Sequence, residues 1–575
     1  MRQFTTVLIA ALLAAACGGE PPEPPPTPTP EALTEHGEEF REDVVEVTEG
    51  VYVAIGFGIA NSILIEGEDA AIVVDVMESL EAAERIAERF RAITDKPVKA
   101  LVYTHSHPDH IHGGAAFVDP DDRDLEIFAH DSLIAAADKI SGVLQPIITH
   151  RSMRMYGNPL PDEQRTNVGL GAFVAVGEDS TLQVLRPTQT FDHRLEVEVA
   201  GVKLVMEHAP GETEDQIFVW LPDKRVLLPA DNFYKAFPNL YTIRGTSYRD
   251  PKQWADSLDR MRALGAEHLV PSHGRPISGA EEVDQRLTEY RDGIRYVYDQ
   301  TIRLMNAGAT PDEIAERLTL PPHLAESPYL QTFYGKPSWS ARAVFQGELG
   351  WYDGNPSQLQ PTAPGERAQR MAALAGGEGA LLEALEQAAA DSEHQWLLEL
   401  SDHFLRLRPD HERARKLRID ALRALAASEH NPGARHYYLT TAAELEGTVT
   451  VPERVLTPRD EMLRAMPLSI FFDGMAVALD GPAAWEVEQS VAFEFPDLDT
   501  ARTLTVRRGV SELAEGVSAD ADIHVRVDSL VFKRMLAGLR NPALAIATDF
   551  DYVEGGRLGF AGFMRLFNPE IELEE

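Results

Sequence analysis

The sequence contains only one cysteine, Cys17, and few basic residues for its length of 575 residues. A single cysteine excludes a disulfide within the chain, so the fold depends on its core and on any metal that it binds. Lys and Arg number 53 against 92 Asp and Glu, which gives a formal net charge of −39. Such a chain lacks the basic face that nucleic acid requires, so no nucleic-acid partner is expected. Any site for an anion must supply its own local positive charge.

The N-terminal stretch MRQFTTVLIAALLAAAC has a basic residue, an apolar run and small residues before Cys17. The run is too short to span a membrane, and the pattern is similar to a lipoprotein signal peptide over residues 1–17. A plain secretory signal is the alternative. The proline-rich residues 18–44 predict an extended, semi-rigid linker. We therefore expect an exported protein with a lipid anchor on Cys17, in the periplasm or at the outer membrane of a bacterium.

The densest group of potential metal ligands lies in THSHPDHIHG, residues 104–113. His105, His107, Asp109 and His110 form the pattern HxHxDH directly after the apolar run 98–103, which predicts a buried strand. A loop at the end of a strand can direct several short polar side chains at one point. Imidazole suits zinc, and a carboxylate can hold a second cation. A histidine-rich surface loop is the alternative, but it would crowd these groups together without a partner.

The segments around this loop predict an α/β domain. Apolar strands are expected at 51–56, 61–67 and 70–76, and helical spacing covers 78–93 before the strand at 98–103. Residues 202–208 and 217–221 predict two more strands. The length of the chain favours three or four domains.

The HxHxDH loop after an apolar strand resembles the first metal motif of the metallo-β-lactamase-fold hydrolases. NLYTIRG at 239–245, GWYDGNP at 350–356 and YGN at 156–158 are similar to strings of the alkyl sulfatases, a branch of that superfamily. This resemblance implies three domains: an α/β metallo-β-lactamase αββα sandwich over 45–285, an all-α dimerisation domain over 286–446 and an α+β sterol-carrier-like domain over 453–575. In the last of these, SIFFDGMAVAL at 469–479 is interpreted as a strand.

The resemblance also implies two zinc ions per chain and a set of ligands. Glu212 stands where most of the superfamily has histidine, with Glu214 and Asp215 as fallback ligands. Asp231 stands where the alkyl sulfatases have Glu, which leaves the bridging geometry open, and Asp75 is expected to support the metal loop without binding metal. The expected ligands are His105, His107 and Glu212 for one zinc, Asp109, His110 and His273 for the other, and Asp231 as the bridge.

Arg244 is predicted to hold the sulfate group, because a guanidinium presents a planar fork of donors and stays charged. A surface ion pair is the other interpretation of Arg244. By resemblance, Tyr156, Asn158 and Tyr241 line the same pocket, although Tyr156 could instead only pack its loop. Asp109, Arg244 and Tyr156 are the candidate catalytic residues.

The predicted function is zinc-dependent hydrolysis of an amphiphilic alkyl sulfate ester by a homodimer. Inorganic sulfate and an alcohol would be released by a water or hydroxide between the two metals. One alternative is a related hydrolase for another ester, a lactone, a lactam or a phosphate, favoured by Asp231 and by the short loop after His273. Another is a lipid-binding surface lipoprotein with a vestigial metal site.

Overall fold

The computed structural model describes residues 27–119, 122–452 and 458–568. The predicted signal peptide, Cys17 and the linker up to residue 26 lie outside these residues, as does the start of the predicted C-terminal domain at 453–457. Within the described ranges, no helix has both the length and the apolar character needed to cross a membrane.

Two sheets form the first domain, and they confirm the predicted α/β architecture. The first has seven strands in chain order, and parallel pairing begins at its fourth strand. The second has six strands, of which two neighbours are parallel. The first sheet contains Asp43–Thr48, Val51–Ile55, Ser62–Glu66, Ala71–Val74, Val98–Val102, Glu126–His130 and Gln189–Phe191. The second contains, in spatial order, Ile277–Ser278, His268–Leu269, Val226–Leu228, Ile217–Leu221, Val202–His208 and Arg194–Val199.

The two sheets pack face to face, with helices on both outer surfaces. Ile63 and Val102 from the first sheet meet Met206 and Val219 from the second in one buried core. The helices outside the first sheet include Leu80–Arg91, and those outside the second include Pro251–Ala263 and Ala280–Asn306. Further helices of this domain are Glu31–Gly37, Pro108–Ile111, Leu133–Ser141 and Gln145–Tyr156. This is the predicted αββα sandwich.

A helical region follows, and its first part belongs to the core of the sandwich. Ile314 and Phe345 lie in the same buried cluster as Leu258 and Tyr290. The predicted domain boundary at 285 falls inside the helix Ala280–Asn306, whose first half packs on the second sheet. The helices that follow are Pro311–Arg317, Pro322–Ala325, Pro337–Leu349, Pro364–Ala375, Glu378–Ala390, His394–Leu407, Glu412–Ser428 and Pro432–Glu446.

The C-terminal domain has a five-stranded sheet covered by helices, so its predicted α+β class is confirmed. The strands, in spatial order, are Val510–Glu515, Thr500–Arg507, Glu488–Phe495, Ile523–Arg526 and Asp551–Glu554. The helices are Asp460–Ala465, Leu468–Ala478, Ser529–Leu536, Pro542–Thr548 and Arg557–Met564. Phe472, Phe493 and Phe495 are fully buried in its core, with Phe471 packed against them.

The prediction of a strand at 469–479 is wrong, because these residues form most of the helix Leu468–Ala478. The buried side chains of this helix are Leu468, Phe472 and Met475. Their spacing of four and three residues places them on one helical face, whereas a strand would alternate every second residue. Because most residues of this short run are apolar, the helical spacing of the buried ones was not recognisable in the sequence.

The N-terminal segment also differs from the predicted linker. Its described part contains the helix Glu31–Gly37 and the 3₁₀ turn Glu38–Phe40. Leu33, His36 and Phe40 are buried. The part of the linker that the structure describes is therefore packed on the folded body.

Candidate metal centre and anion pocket

Six of the seven predicted metal ligands meet at one edge of the sandwich. The loops that carry them follow the strands Val98–Val102, Val226–Leu228 and His268–Leu269. Asp75 follows Ala71–Val74, which is parallel to Val98–Val102. Val226–Leu228 and His268–Leu269 are parallel to each other. Parallel strands end at the same edge of a sheet, so these loops come together.

The metal loop presents its side chains from two kinds of backbone. His107 has extended backbone and caps the short helix Pro108–Ile111, which begins with proline. His105 and His107 therefore precede the helical turn, while Asp109 and His110 lie on it. His105 Nε2 is 2.9 Å from His107 Nδ1, and Asp109 Oδ2 is 3.3 Å from His110 Nε2.

Two groups of potential ligands result, each compact enough to hold one ion. His105, His107 and Asp231 form the first, and Asp109, His110 and His273 form the second. Within each group the candidate ligand atoms lie within 4.8 Å of one another. Six of the seven predicted ligands are thus brought together, and the division of the four loop residues and His273 follows the predicted one.

Asp231 lies between the two groups. Its Oδ2 is 3.5 Å from both His105 Nε2 and His110 Nε2, and its Oδ1 is 3.1 Å from His273 Nε2. Burial would raise the pKa of Asp231, but the adjacent His273, His110 and His105 hold it well below its usual value. A bridging ligand requires this position and this ionised form.

Glu212 is near the groups but belongs to neither of them. Its Oε1 accepts a hydrogen bond of 2.8 Å from Arg249 Nη1, and both side chains are almost completely buried. Its Oε2 is also buried and has no hydrogen-bond partner among the described residues. The structure therefore gives Glu212 an ion pair that the sequence did not predict, with one oxygen left for a ligand.

The donor set fits zinc. Burial lowers the pKa of His107 well below its usual value, and the neighbouring His105 and Arg244 act in the same direction. The ring is therefore neutral and offers a lone pair. Within the described residues, His110 Nε2 and Asp231 Oδ1 are buried without a conventional hydrogen-bond partner, as Glu212 Oε2 is. Imidazole and carboxylate ligands of this kind are those that zinc uses in proteins.

Asp75 holds the metal loop from behind, as the sequence predicted. Its carboxylate accepts hydrogen bonds from Thr104 N at 2.9 Å, from Ser272 Oγ at 2.8 Å and from His110 Nδ1 at 2.8 Å. The bond to Nδ1 fixes the ring of His110 with Nε2 directed toward the site. Asp75 itself adopts a left-handed backbone with φ of 57°.

Arg244 lies beside the candidate metal centre, with Nη2 3.4 Å from His107 Nε2. Tyr156 and Tyr334 are near enough to influence its charge. The hydroxyls of Tyr156 and Tyr334 are 3.5 Å apart. Burial would lower the pKa of Arg244, but the two tyrosines and Glu212 raise it, so the guanidinium stays charged. A charged fork and two phenol groups beside a metal centre are suited to binding an oxyanion.

Other candidates are not joined to this pocket by any hydrogen bond in the described part of the chain. The backbone N–H of Asn158 donates to Met153 O, and within residues 27–119, 122–452 and 458–568 no hydrogen bond is seen for its side chain or for that of Tyr241. Glu214 is exposed. Asp215 is buried and accepts a hydrogen bond of 3.0 Å from Ser106 Oγ.

Two residues of the site were missed from the sequence, Tyr334 and Arg249. Tyr334 lies in a segment that was assigned to the helical domain, more than 170 residues from Tyr156 in the chain. Arg249 lies five residues after Arg244 and carries no motif of its own. Only the folded chain brings either of them to the metal centre.

Comparison with protein families identifies each region. The model of the metallo-beta-lactamase superfamily matches residues 55–273. A model described as alkyl sulfatase dimerisation matches residues 310–448, and one described as alkyl sulfatase C-terminal matches residues 457–570. Both alkyl sulfatase models therefore follow the superfamily domain in the predicted order.

Whole-chain relatives agree with this assignment. A linear primary-alkylsulfatase from Pseudomonas is 38% identical over 88% of this chain and 98% of the relative. An (R)-specific secondary-alkylsulfatase from Pseudomonas is 30% identical over 92% of this chain and 82% of the relative. A solved stereoselective inverting sec-alkylsulfatase from Pseudomonas superposes with a TM-score of 0.86 at 28% identity, over 94% of this chain and 88% of that one. The chain belongs to the alkylsulfatase family, whose catalytic domain has the metallo-β-lactamase fold.

Proposed function

We propose that this protein uses two zinc ions to hydrolyse alkyl sulfate esters to inorganic sulfate and an alcohol. The observation that carries the proposal is the position of Arg244, whose guanidinium lies 3.4 Å from His107 of the candidate metal centre. A charged fork at this distance can hold a sulfate group with its ester bond over the metals. The names of the relatives support the same substrate class.

The anion pocket, formed by Arg244, Tyr156 and Tyr334, provides local positive charge in a strongly acidic chain. A net charge of −39 repels an anionic ester at long range. Arg244 and Arg249 place two guanidinium groups near the metal ligands, and Glu212 neutralises only Arg249. Arg244 has no carboxylate within ion-pair distance among the described residues. Its charge is therefore available to a substrate.

Some residues of the site would orient the sulfate group, and others would hold the metal ions that stabilise negative charge. Arg244 would bind the sulfate oxygens, and the hydroxyls of Tyr156 and Tyr334 would donate further hydrogen bonds to them. Asp231, held ionised between the two ligand groups, would be a ligand shared by both metal ions. Zinc held by these residues would supply Lewis-acid chemistry, which would make water more acidic and offset negative charge on the sulfate. Asp75 would keep the His110 ring oriented toward the metal site through its hydrogen bond to Nδ1.

The test is hydrolysis of dodecyl sulfate by the purified full-length chain, with sulfate release and zinc content measured together. We expect about two zinc ions per chain and release of inorganic sulfate. Dodecyl phosphate, a lactone and a lactam serve as competing substrates. Turnover of one of these without release of sulfate from dodecyl sulfate would establish a hydrolase for another ester, a lactone, a lactam or a phosphate. Asp231 in place of the Glu of the alkyl sulfatases and the short loop after His273 favour that alternative. A chain that binds no metal and turns over none of them would contradict both.

We also propose that the chain forms a homodimer through the region around Trp351. Leu349, Trp351 and Leu359 expose 63%, 69% and 56% of their area, so they are not core residues of the monomer. They lie within the matched dimerisation region. Burial of one such side chain contributes about 1.5–3 kcal/mol, and a twofold interface buries it twice.

Trp351→Asp is therefore expected to weaken the dimer at least about a hundredfold, which light scattering after size exclusion would detect as monomer. Trp485→Asp is the matched control, because Trp485 exposes 67% of its area but lies in the C-terminal domain. A Trp351→Asp protein that remains dimeric at low micromolar concentration would contradict this interface.

A further inference from the structure

The ordered N-terminal segment, residues 27–43, connects the helical region with the active-site loops. We call it the N-terminal strap. At its start, Arg435 donates to Thr27 O and Pro28 O at 3.0 Å and to Thr29 Oγ1 at 3.3 Å. The Arg435 side chain is completely buried, and it also donates to Ala426 O. Among the described residues, no carboxylate forms an ion pair with it. Removal of the strap would leave buried N–H groups of this guanidinium without their acceptors, which is costly.

The end of the strap holds the loop that carries a metal ligand. Glu39 Oε1 accepts a hydrogen bond of 2.8 Å from the backbone N–H of Arg275, two residues after His273. Glu39 Oε2 pairs with Lys235 Nζ at 2.8 Å, and Lys235 lies four residues after Asp231. One carboxylate thus joins the two loops that deliver the bridging aspartate and the last histidine.

The middle of the strap is fixed by His36. Its Nε2 lies 3.3 Å from Lys235 O and its Nδ1 lies 3.2 Å from Asn167 Oδ1. Its ring stacks on Phe333, with centroids 3.9 Å apart and planes at 13°. Burial lowers the pKa of His36 to about 4, so the stacked ring is neutral at ordinary pH. Three segments that are distant in sequence are joined at this one side chain.

The next residue after Phe333 is Tyr334, whose hydroxyl approaches Tyr156 beside Arg244. Asn167 continues the same contact network, since its Nδ2 donates to Leu33 O in the strap and its Oδ1 accepts from Gly169 N. Gly169 packs so closely on Phe333 that a Cβ there would lie 2.4 Å from Phe333 O. The loop 165–171 and the segment of Phe333 are therefore held together under the strap.

We propose that the strap is part of the active-site framework and that His36 is a positioning residue, which holds Tyr334 in the anion pocket. The substrate class in this inference rests on the proposed function. The strap does not touch the substrate. It restricts the segment of Phe333, and so limits the freedom of the Tyr334 hydroxyl before the sulfate group binds.

The test is His36→Ala in the full-length chain, with kcat, KM and zinc content measured on dodecyl sulfate. We expect KM to rise about tenfold, with kcat and zinc unchanged, because an interaction present in both the ground and transition states is weakened. Glu35→Ala is the matched control, since Glu35 lies on the same helix but is exposed. His36→Phe keeps a ring on Phe333 and is expected to recover most of the affinity.

A double-mutant cycle with Tyr334→Phe separates positioning from general stability. If His36 acts through Tyr334, the two effects on KM are expected to be strongly non-additive. Additive effects, or a loss of kcat and zinc in proportion to lost thermal stability, would overturn the proposal.

Hydrogen exchange of residues 326–336 supplies a measurement that needs no substrate. His36→Ala is expected to speed exchange in this segment, and Glu35→Ala is expected to leave it unchanged. Unchanged exchange in His36→Ala overturns the positioning role even if the wild-type chain hydrolyses a different ester. Faster exchange without sulfate release would contradict the proposed substrate and leave the strap's framework role supported.

Discussion

Replacement of His107 by alanine is expected to lower the rate of alkyl sulfate hydrolysis more than about a thousandfold. His107 is one of three residues in the first ligand group, and its neutral ring also lies 3.4 Å from Arg244. Its removal would leave that group with only His105 and Asp231. Since changes to residues that only support a ligand already cost about 10–100-fold, loss of a ligand is expected to cost more.

The measurement is zinc content together with sulfate release. Zinc is expected to fall from about two ions per chain to about one, because the second group of Asp109, His110 and His273 remains intact. His323→Ala is the control, since His323 is exposed and distant in the chain from either group. Full zinc and full activity in His107→Ala would show that His107 is not a ligand.

Replacement of Arg244 by alanine is expected to lower kcat/KM for dodecyl sulfate about a thousandfold while both zinc ions stay bound. Removal of one preorganised donor costs about 10²–10³ in rate, and Arg244 also supplies the charge that attracts the sulfate group. Arg244→Lys keeps the charge but loses the planar fork, so an intermediate loss is expected. Steady-state kinetics on a series of alkyl sulfates would measure these effects.

Arg370→Ala is the matched control for Arg244. Arg370 is an exposed arginine in an ion pair with Glu366, one turn away on a surface helix. Its loss is expected to leave kcat and KM unchanged. The free energy of unfolding is expected to change by no more than a few tenths of a kcal/mol. If Arg244→Ala hydrolysed dodecyl sulfate like the wild type, Arg244 would not be the sulfate anchor.

Much of the catalytic domain was predictable because its signals are local. The strand at 98–103 is a short apolar run ended by a polar loop, and the structure has Val98–Val102. The strands at 202–208 and 217–221 have the predicted bounds. The loop motif concentrates four chemically capable side chains within six residues, so their convergence follows from short-range geometry. Asp231 and His273 were assigned from the resemblance to the superfamily, each in a loop that comes after an apolar strand.

Other features depend on residues that are far apart in the chain. No local pattern indicates that Arg249 pairs with Glu212 or that Tyr334 reaches Tyr156. The segment 18–44 has the composition of a linker, yet the residues that fix its described part are Arg435 and Phe333. The helix Leu468–Ala478 was misassigned because a nearly continuous apolar run fits a buried strand as well as a buried helix.

The sequence by itself determined the domain order, the family and the chemistry of the metal loop. These depend on the order of residues within short segments, which the fold leaves intact. Only the tertiary structure decided that Asp231 lies between the two ligand groups, that Glu212 pairs with Arg249, and that Tyr334 approaches Tyr156 beside the candidate metal centre. These depend on contacts between residues from 37 to 178 positions apart in the chain, which form because the two sheets and the helical region bury their apolar faces against one another.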